Sequence, residues 1–148
     1  MAFDYDLDFD NIDFREQPEL YRVGRGEQGV LLVEPYKSEI LPHWRFKTPG
    51  IAKESSEKIY QMYLDYKDKN DFVGMDMARK FIQMGYTRSR RYANYKGGKK
   101  YDKSGDINDR DIDEEKAESA SIFEKKWIKV REDEEYLAMK KAHQKKYG

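Results

Sequence analysis

The chain contains no cysteine. Disulfides, thiolate metal sites and cysteine catalysis are therefore excluded, and a protein without disulfides fits a reducing compartment. No apolar run approaches the length of a membrane span, and the first residues lack the basic and apolar pattern of a secretory signal. From these absences we expect a cytoplasmic protein that does not contact the membrane.

Motifs for chemistry are also scarce. His43 and His143 lie far apart, and neither has a second ligand at helical spacing, so we assign no metal site and no cofactor. The glycines of 24–29 have the G-x-G-x-x-G spacing of nucleotide-binding loops. Such a loop is followed by a helix, whereas a strand is expected here, so we interpret them as turn glycines. Arg25 at the tip of this turn is a weak candidate for an anion contact. No nucleophile–base pair is readable, so we assign no catalytic residue and do not expect an enzyme.

Charge and aromatic rings are abundant. Charged residues make up 39% of the 148 residues, with 29 basic and 29 acidic side chains, and aromatic residues make up 14%. This aromatic content argues against disorder, and the length suffices for one domain with a modest core. We expect a single domain over 1–148, with an extended acidic arm at 1–16, a loop at 97–112 and a charged helical tail at 131–148.

The first third of the chain carries strand signals. Residues 20–24 and 30–34 are apolar segments on either side of the glycine-rich turn, which predicts a β-hairpin. Residues 44–46 predict a short third strand. The fold class expected from this pattern is α+β, with a small antiparallel sheet packed against three or four helices.

Helical signals follow. Thr48 before Pro49 predicts a helix start, Gly85 a helix end, and Asp133 a break in the long C-terminal helical region that runs to about Tyr147. The apolar stripes predict helices at 49–68, 70–84 and 113–130, with a short further helix from Thr87 to Tyr95. The predicted core comprises Val23, Leu31, Val33, Trp44, Phe46, Ile59, Tyr63, Met77, Phe81, Phe123 and Trp127.

The strongest functional signal is the basic-aromatic segment, residues 79–101, which holds eight Lys or Arg side chains, five aromatic rings and no acid. Guanidinium groups can bind phosphates bidentately, and rings can stack on exposed bases. Two other interpretations stay open: a solvated surface neutralised by the chain's own acids, and a site for an acidic protein. The candidate nucleic-acid contacts are Arg88, Arg90, Arg91, Tyr92, Tyr95, Lys96, Lys99 and Lys100.

The leading functional hypothesis is therefore a non-enzymatic nucleic-acid-binding module. The alternative is a protein-interaction or structural accessory protein that uses the charged helix 131–147, with Tyr136, Leu137 and Met139 exposed. A further hypothesis is autoinhibition, in which the carboxylates of residues 4–10 cover the basic-aromatic segment.

Two long stretches also carry a resemblance. They are 21–37 with 41–46, and 76–81 with 85–94. In these stretches, and more loosely up to Gly148, the chain resembles an uncharacterised domain-of-unknown-function family, number 4385, of bacteria and their tailed phages. The resemblance implies a single small domain in the bacterial or host cytoplasm, and it supplies no activity and no catalytic residues.

Overall fold

The computed structural model of the chain describes residues 2–94 and 114–148. In these residues the fold is all-helical and contains no β-strand, so the predicted α+β class is wrong. Short 3-10 turns at Phe9–Asn11, Pro18–Leu20 and Leu41–His43 precede or join the longer elements. The α-helices of the described residues are α1 (Tyr36–Ile40), α2 (Pro49–Asp68), α3 (Phe72–Asn94), α4 (Glu114–Arg131) and α5 (Glu134–Tyr147).

The segment 20–34 forms a series of tight turns instead of a hairpin. Gly24, Gly26 and Gly29 have φ angles of +71°, +56° and +76°, which confirms them as turn glycines. Within residues 24–34, three amides donate to carbonyls three residues earlier, at 3.0, 3.1 and 3.2 Å. Backbone groups that a β-ladder would use are thus satisfied locally, and the apolar side chains pack one by one against the helices.

The predicted third strand is also absent. Residues 44–46 link the turn Leu41–His43 to α2, and the Arg45 amide donates to Ser55 Oγ at 2.9 Å rather than to a neighbouring strand. The following helix start is confirmed, because Thr48 Oγ1 accepts the Ile51 amide at 3.2 Å. The bounds predicted for this helix agree with those of α2.

Helix α3 is continuous where a break was predicted at Gly85. A Cβ at this glycine would lie 2.4 Å from Phe123 Cδ1 of α4, so the glycine permits a close helix contact and does not end the helix. The helix predicted to begin at residue 70 begins at Phe72. Asn70 lies outside it with φ +55°, and the carboxylate of Asp71 accepts the Gly74 amide at 3.1 Å.

The predicted break in the C-terminal helical region is confirmed. Asp133 caps α5, since its Oδ1 accepts the amides of Glu135 at 3.0 Å and Tyr136 at 3.4 Å. Helix α4 ends two residues before this cap, at Arg131.

Helix α3 lies at the centre of the described structure and contacts α1, α2, α4 and α5. Every residue from 72 to 82 is buried. Of the predicted core residues, Leu31 is wrong, since it is 51% exposed, while Trp44, Phe46 and Trp127 are half-buried against the core. The other predicted core residues are buried, namely Val23, Val33, Ile59, Tyr63, Met77, Phe81 and Phe123.

None of the helices within residues 2–94 and 114–148 combines the length and the apolar character that a membrane span requires.

Candidate nucleic-acid interface

An open groove of about 410 Å³ lies between the end of α3, the start of α2 and the start of α4. Three cationic side chains, two aromatic rings and one aliphatic side chain line it, and we call it the basic-aromatic groove. Its lining residues are Arg45, Phe46, Lys47, Ile51, Tyr92 and Lys116.

The two rings of the groove are held from behind by the core. The centroids of Phe46 and Tyr92 are 6.0 Å apart at an interplanar angle of 45°. Trp44 packs against Phe46 at 5.0 Å and against the buried Phe81 at 6.2 Å. Tyr92 is 38% exposed, so the ring is fixed at its inner side and open to a ligand at its outer side.

The cations of the groove come from two separate parts of the chain. Arg45 and Lys47 precede α2 and are exposed, and neither has an ion-pair partner within the described residues. The ammonium of Lys116 in α4 donates to the carbonyl of Lys47. This bond joins the two walls and places all three positive charges around one opening.

Three predicted contact residues precede Tyr92 of the groove on α3. Arg88 and Arg91 are exposed and Arg90 is half-buried. Arg88 precedes Arg91 by three residues and Tyr92 by four, so these side chains share one face of the helix. None of the three guanidiniums has an ion-pair partner in the part of the chain that the structure describes.

The remaining predicted contacts, Tyr95, Lys96, Lys99 and Lys100, lie outside the described residues. Arg25 is exposed on its glycine-rich turn and is not among the residues that line the groove.

The first part of the basic-aromatic segment faces inward. Arg79 is 7% exposed and Lys80 is fully buried, and both pair with the buried Asp76. Arg79 donates to Asp76 Oδ1 from Nη2 at 2.7 Å and from Nε at 3.0 Å, and Lys80 Nζ lies 4.0 Å from Oδ2. The hydroxyls of Tyr136, at 2.6 Å, and of Tyr21 also donate to this carboxylate. We call these five residues the buried charge cluster.

Burial and neighbouring charges together determine the pKa values of Asp76 and Lys80 in this cluster. Burial raises the pKa of Asp76, but the charges of Arg79 and Lys80 and the two tyrosine hydroxyls outweigh burial, so the pKa lies below the ordinary value of 3.8. Burial lowers the pKa of Lys80 to about 8, although Asp76 opposes that change. Because Asp76 and Lys80 are fully buried, a substrate cannot reach them, and the cluster is a structural element.

The cluster holds the N-terminal segment against α3. Lys80 Nζ donates to the Gln28 carbonyl at 2.6 Å and lies 5.1 Å and 4.8 Å from the ring centroids of Phe3 and Tyr21. Arg79 Nη1 donates to the Gly26 carbonyl. The sequence analysis placed both cations in a surface segment, whereas they donate to carbonyls some fifty residues earlier, and Lys80 also lies over two rings that precede those carbonyls.

A second cavity, of about 850 Å³, lies beside the start of α3 and is lined by opposite charges. Arg15 binds Glu39 bidentately at 2.7 and 2.8 Å, the Tyr66 hydroxyl donates to Glu39 at 2.7 Å, and the Tyr36 hydroxyl donates to Asp71 at 2.7 Å. The hydrogen bond from Arg15 is the main cause that lowers the pKa of Glu39. Lys69 also lines the cavity, so two cations face the two carboxylates and the lining attracts a charged ligand less than the basic-aromatic groove does.

Metal binding has no support in the described residues, where no group of three or more His, Asp or Glu side chains could hold an ion. The three apolar residues predicted to be exposed on α5 are not all exposed. Tyr136 is buried and Met139 is half-buried, so only Leu137 of the three is exposed, at 46%.

Sequence reasoning missed five of the six residues that line the groove, namely Arg45, Phe46, Lys47, Ile51 and Lys116. The alternation of basic and aromatic residues in 44–47 is a signal for this surface, but it was assigned to a strand. Lys116 carries no local signal, because only the packing of α4 brings it to the groove.

The described residues thus form an α-helical protein with a basic, ring-lined groove at one end of its central helix. A sequence model of the family described as Domain of unknown function (DUF4385) matches residues 4–146, so the chain belongs to this family. No curated protein and no solved structure matches the chain.

Proposed function

We propose that this protein binds nucleic acid through the basic-aromatic groove and the adjoining face of α3. The observation that carries the proposal is the grouping of five cations in and beside one groove with two aromatic rings. A chain with equal numbers of acids and bases has no general attraction for polyanions, so a local excess is needed. The five cations are Arg45, Lys47, Arg88, Arg91 and Lys116.

The acidic arm, of which the structure describes residues 2–16, lies at a distance from the groove, and this position supports the proposal because the arm leaves the groove open to a polyanion. The arm packs near the middle of α3, where Phe3 lies over Lys80. Lys80 precedes Tyr92 by twelve residues, which is about 18 Å along a helix. The carboxylates of Asp4 and Asp8 accept hydrogen bonds from the arm itself, from the Asp6 amide at 3.0 Å and the Asn11 side chain at 2.7 Å.

The proposal is tested by fluorescence anisotropy with labelled oligonucleotides over a range of salt concentrations. If all five cations meet phosphates, log K should fall against log[salt] with a slope of roughly −3.5 for single strands or −4.5 for duplexes. Replacing Arg88 and Arg91 by Ala should reduce the single-strand slope by about 1.4. Replacing Lys141 and Lys145 on α5 by Ala removes two exposed charges elsewhere and should leave the slope unchanged.

A charge-adding variant, Gly50→Glu, provides a second test. A Cβ at Gly50, next to Ile51 of the groove, would meet no atom within 4 Å, so a side chain at this exposed position begins in open space. The added carboxylate lies in the first turn of α2, where negative charge stabilises a helix, so the fold should keep or gain stability. Affinity for oligonucleotides should fall all the same. The proposal is rejected if the intact protein binds no oligonucleotide at low salt.

An acidic protein at the same surface is the alternative partner. Its binding would depend equally on salt, so salt alone does not separate the two partners. A competition experiment separates them. If the rings contribute to binding, polyglutamate should displace a labelled oligonucleotide less effectively than unlabelled oligonucleotide does. If only charge matters, the two competitors should be equally effective.

A further inference from the structure

We infer, resting on the proposed function, that the basic-aromatic groove takes an unpaired base and therefore selects single-stranded over duplex nucleic acid. The groove volume of about 410 Å³ falls in the range of pockets that bind small molecules and cofactors. A continuous positive surface for a duplex backbone would require no such concavity.

The distribution of polarity in the groove matches a nucleotide. Phe46, Tyr92 and Ile51 supply apolar surface, whereas Arg45 and Lys47 supply positive charge at the same opening. A nucleotide has the same division, with an apolar base face at one end and an anionic phosphate at the other. Base faces stack on aromatic side chains, and this interaction tolerates any base sequence.

The geometry of the rings favours this use. Phe46 and Tyr92 are tilted at 45° and do not stack face to face, so they do not cover each other's surfaces. Trp44 supports Phe46 and itself packs against the buried Phe81, which reduces the ordering required on binding.

Strand selection follows from the accessibility of base faces. In a duplex each base face is covered by the neighbouring base pairs, and a protein reaches only base edges in the grooves and the phosphates. A duplex can therefore use the cations of this surface but not its rings. A single strand can use both.

The test compares three ligands of equal length on the unmodified protein at one salt concentration: an oligothymidylate, an abasic strand and a duplex. The oligothymidylate should bind about tenfold more tightly than the abasic strand, and more tightly than the duplex. Since this comparison needs no variant, it holds whether or not any substitution folds.

Variants at Tyr92 then locate the effect. Tyr92→Leu keeps an apolar side chain but removes the ring, and should weaken oligothymidylate binding about tenfold while leaving abasic binding unchanged. Tyr92→Phe keeps the ring and should bind as the parent does.

The outcomes separate the inference from the proposed function. If all three ligands bind equally, or the duplex binds most tightly, the inference is wrong and the proposed function stands. A preference for oligothymidylate that survives Tyr92→Leu places the stacking elsewhere and also overturns the inference. If none of the ligands binds at low salt, both are wrong.

Discussion

Asp76→Asn tests how the buried charge cluster contributes to stability. The substitution keeps the size of the side chain but removes the one negative charge that Arg79 and Lys80 share. Arg79 retains its bonds to the Gly26 carbonyl and to Gln83 Oε1, the latter at 2.8 Å, but both cations are then buried without a counter-charge. Breaking a buried ion pair from one side costs about 3–5 kcal/mol, a large fraction of the stability of a domain of this size.

The same variant predicts a pH dependence with a defined sign. The folded pKa of Asp76 lies below its ordinary value of 3.8, so the unfolded chain binds more protons when the medium becomes acidic. The stability that Asp76 contributes is therefore fully present above about pH 4 and is lost as the pH falls through the folded pKa. The difference between parent and variant should shrink as the medium becomes acidic and Asp76 of the parent is protonated.

Urea unfolding followed by tryptophan fluorescence and circular dichroism measures both effects. Asp68→Asn is the matched control, since Asp68 is exposed at the end of α2 and its change should stay within about 0.5 kcal/mol. Tyr136→Phe removes the hydroxyl that donates to the carboxylate at 2.6 Å and accepts from Arg79 Nε at 3.2 Å, and it should cost about 1.5–3 kcal/mol. An Asp76→Asn variant within about 1 kcal/mol of the parent would refute the assigned role of the charge, as would a difference that does not shrink in acid.

Two further predictions concern the same helix. Because the folded pKa of Lys80, about 8, lies below the ordinary 10.5, the unfolded chain binds the extra proton between these values. The parent should therefore gain about 2 kcal/mol relative to Lys80→Met between neutral pH and about pH 9.5. Urea unfolding at both pH values checks this, and a constant difference would contradict it. Gly85→Ala should lower the free energy of unfolding by about 1–2 kcal/mol, because its Cβ would lie 2.4 Å from Phe123 Cδ1. The cost of this clash exceeds the stability that alanine gains from its higher helix propensity. In the control Gly50→Ala the new Cβ meets no atom within 4 Å, so stability should rise by about 0.5–1 kcal/mol. Thermal melts that show both variants changing stability in the same direction would contradict the packing argument.

Local signals correctly predicted where two helices begin. Thr48 and Asp133 cap α2 and α5 through hydrogen bonds to amides two or three residues later. Such bonds involve neighbours in the chain only, so the residue types alone specify them. The same holds for the positive φ angles of the glycines in 24–29.

The apolar segments 20–24 and 30–34 did not specify strands. Apolar character identifies which side chains can be buried, but a strand also needs a partner for its amides and carbonyls. Here turns satisfy some of these groups, and side chains of α3 satisfy two carbonyls, those of Gly26 and Gln28.

The candidate site depends on contacts between distant parts of the chain. Cations of 79–101 read alike in the sequence, yet Arg79 and Lys80 are buried around Asp76 while Arg88 and Arg91 remain at the surface. Helical periodicity shows which residues share a face of the helix, but it does not show which face packs against another helix. The amino-acid sequence thus specified the caps, the turns and most of the core, because these depend on neighbours or on hydrophobicity. The basic-aromatic groove required folding, because its walls are separated by tens of residues and meet only when α4 packs against α2 and α3.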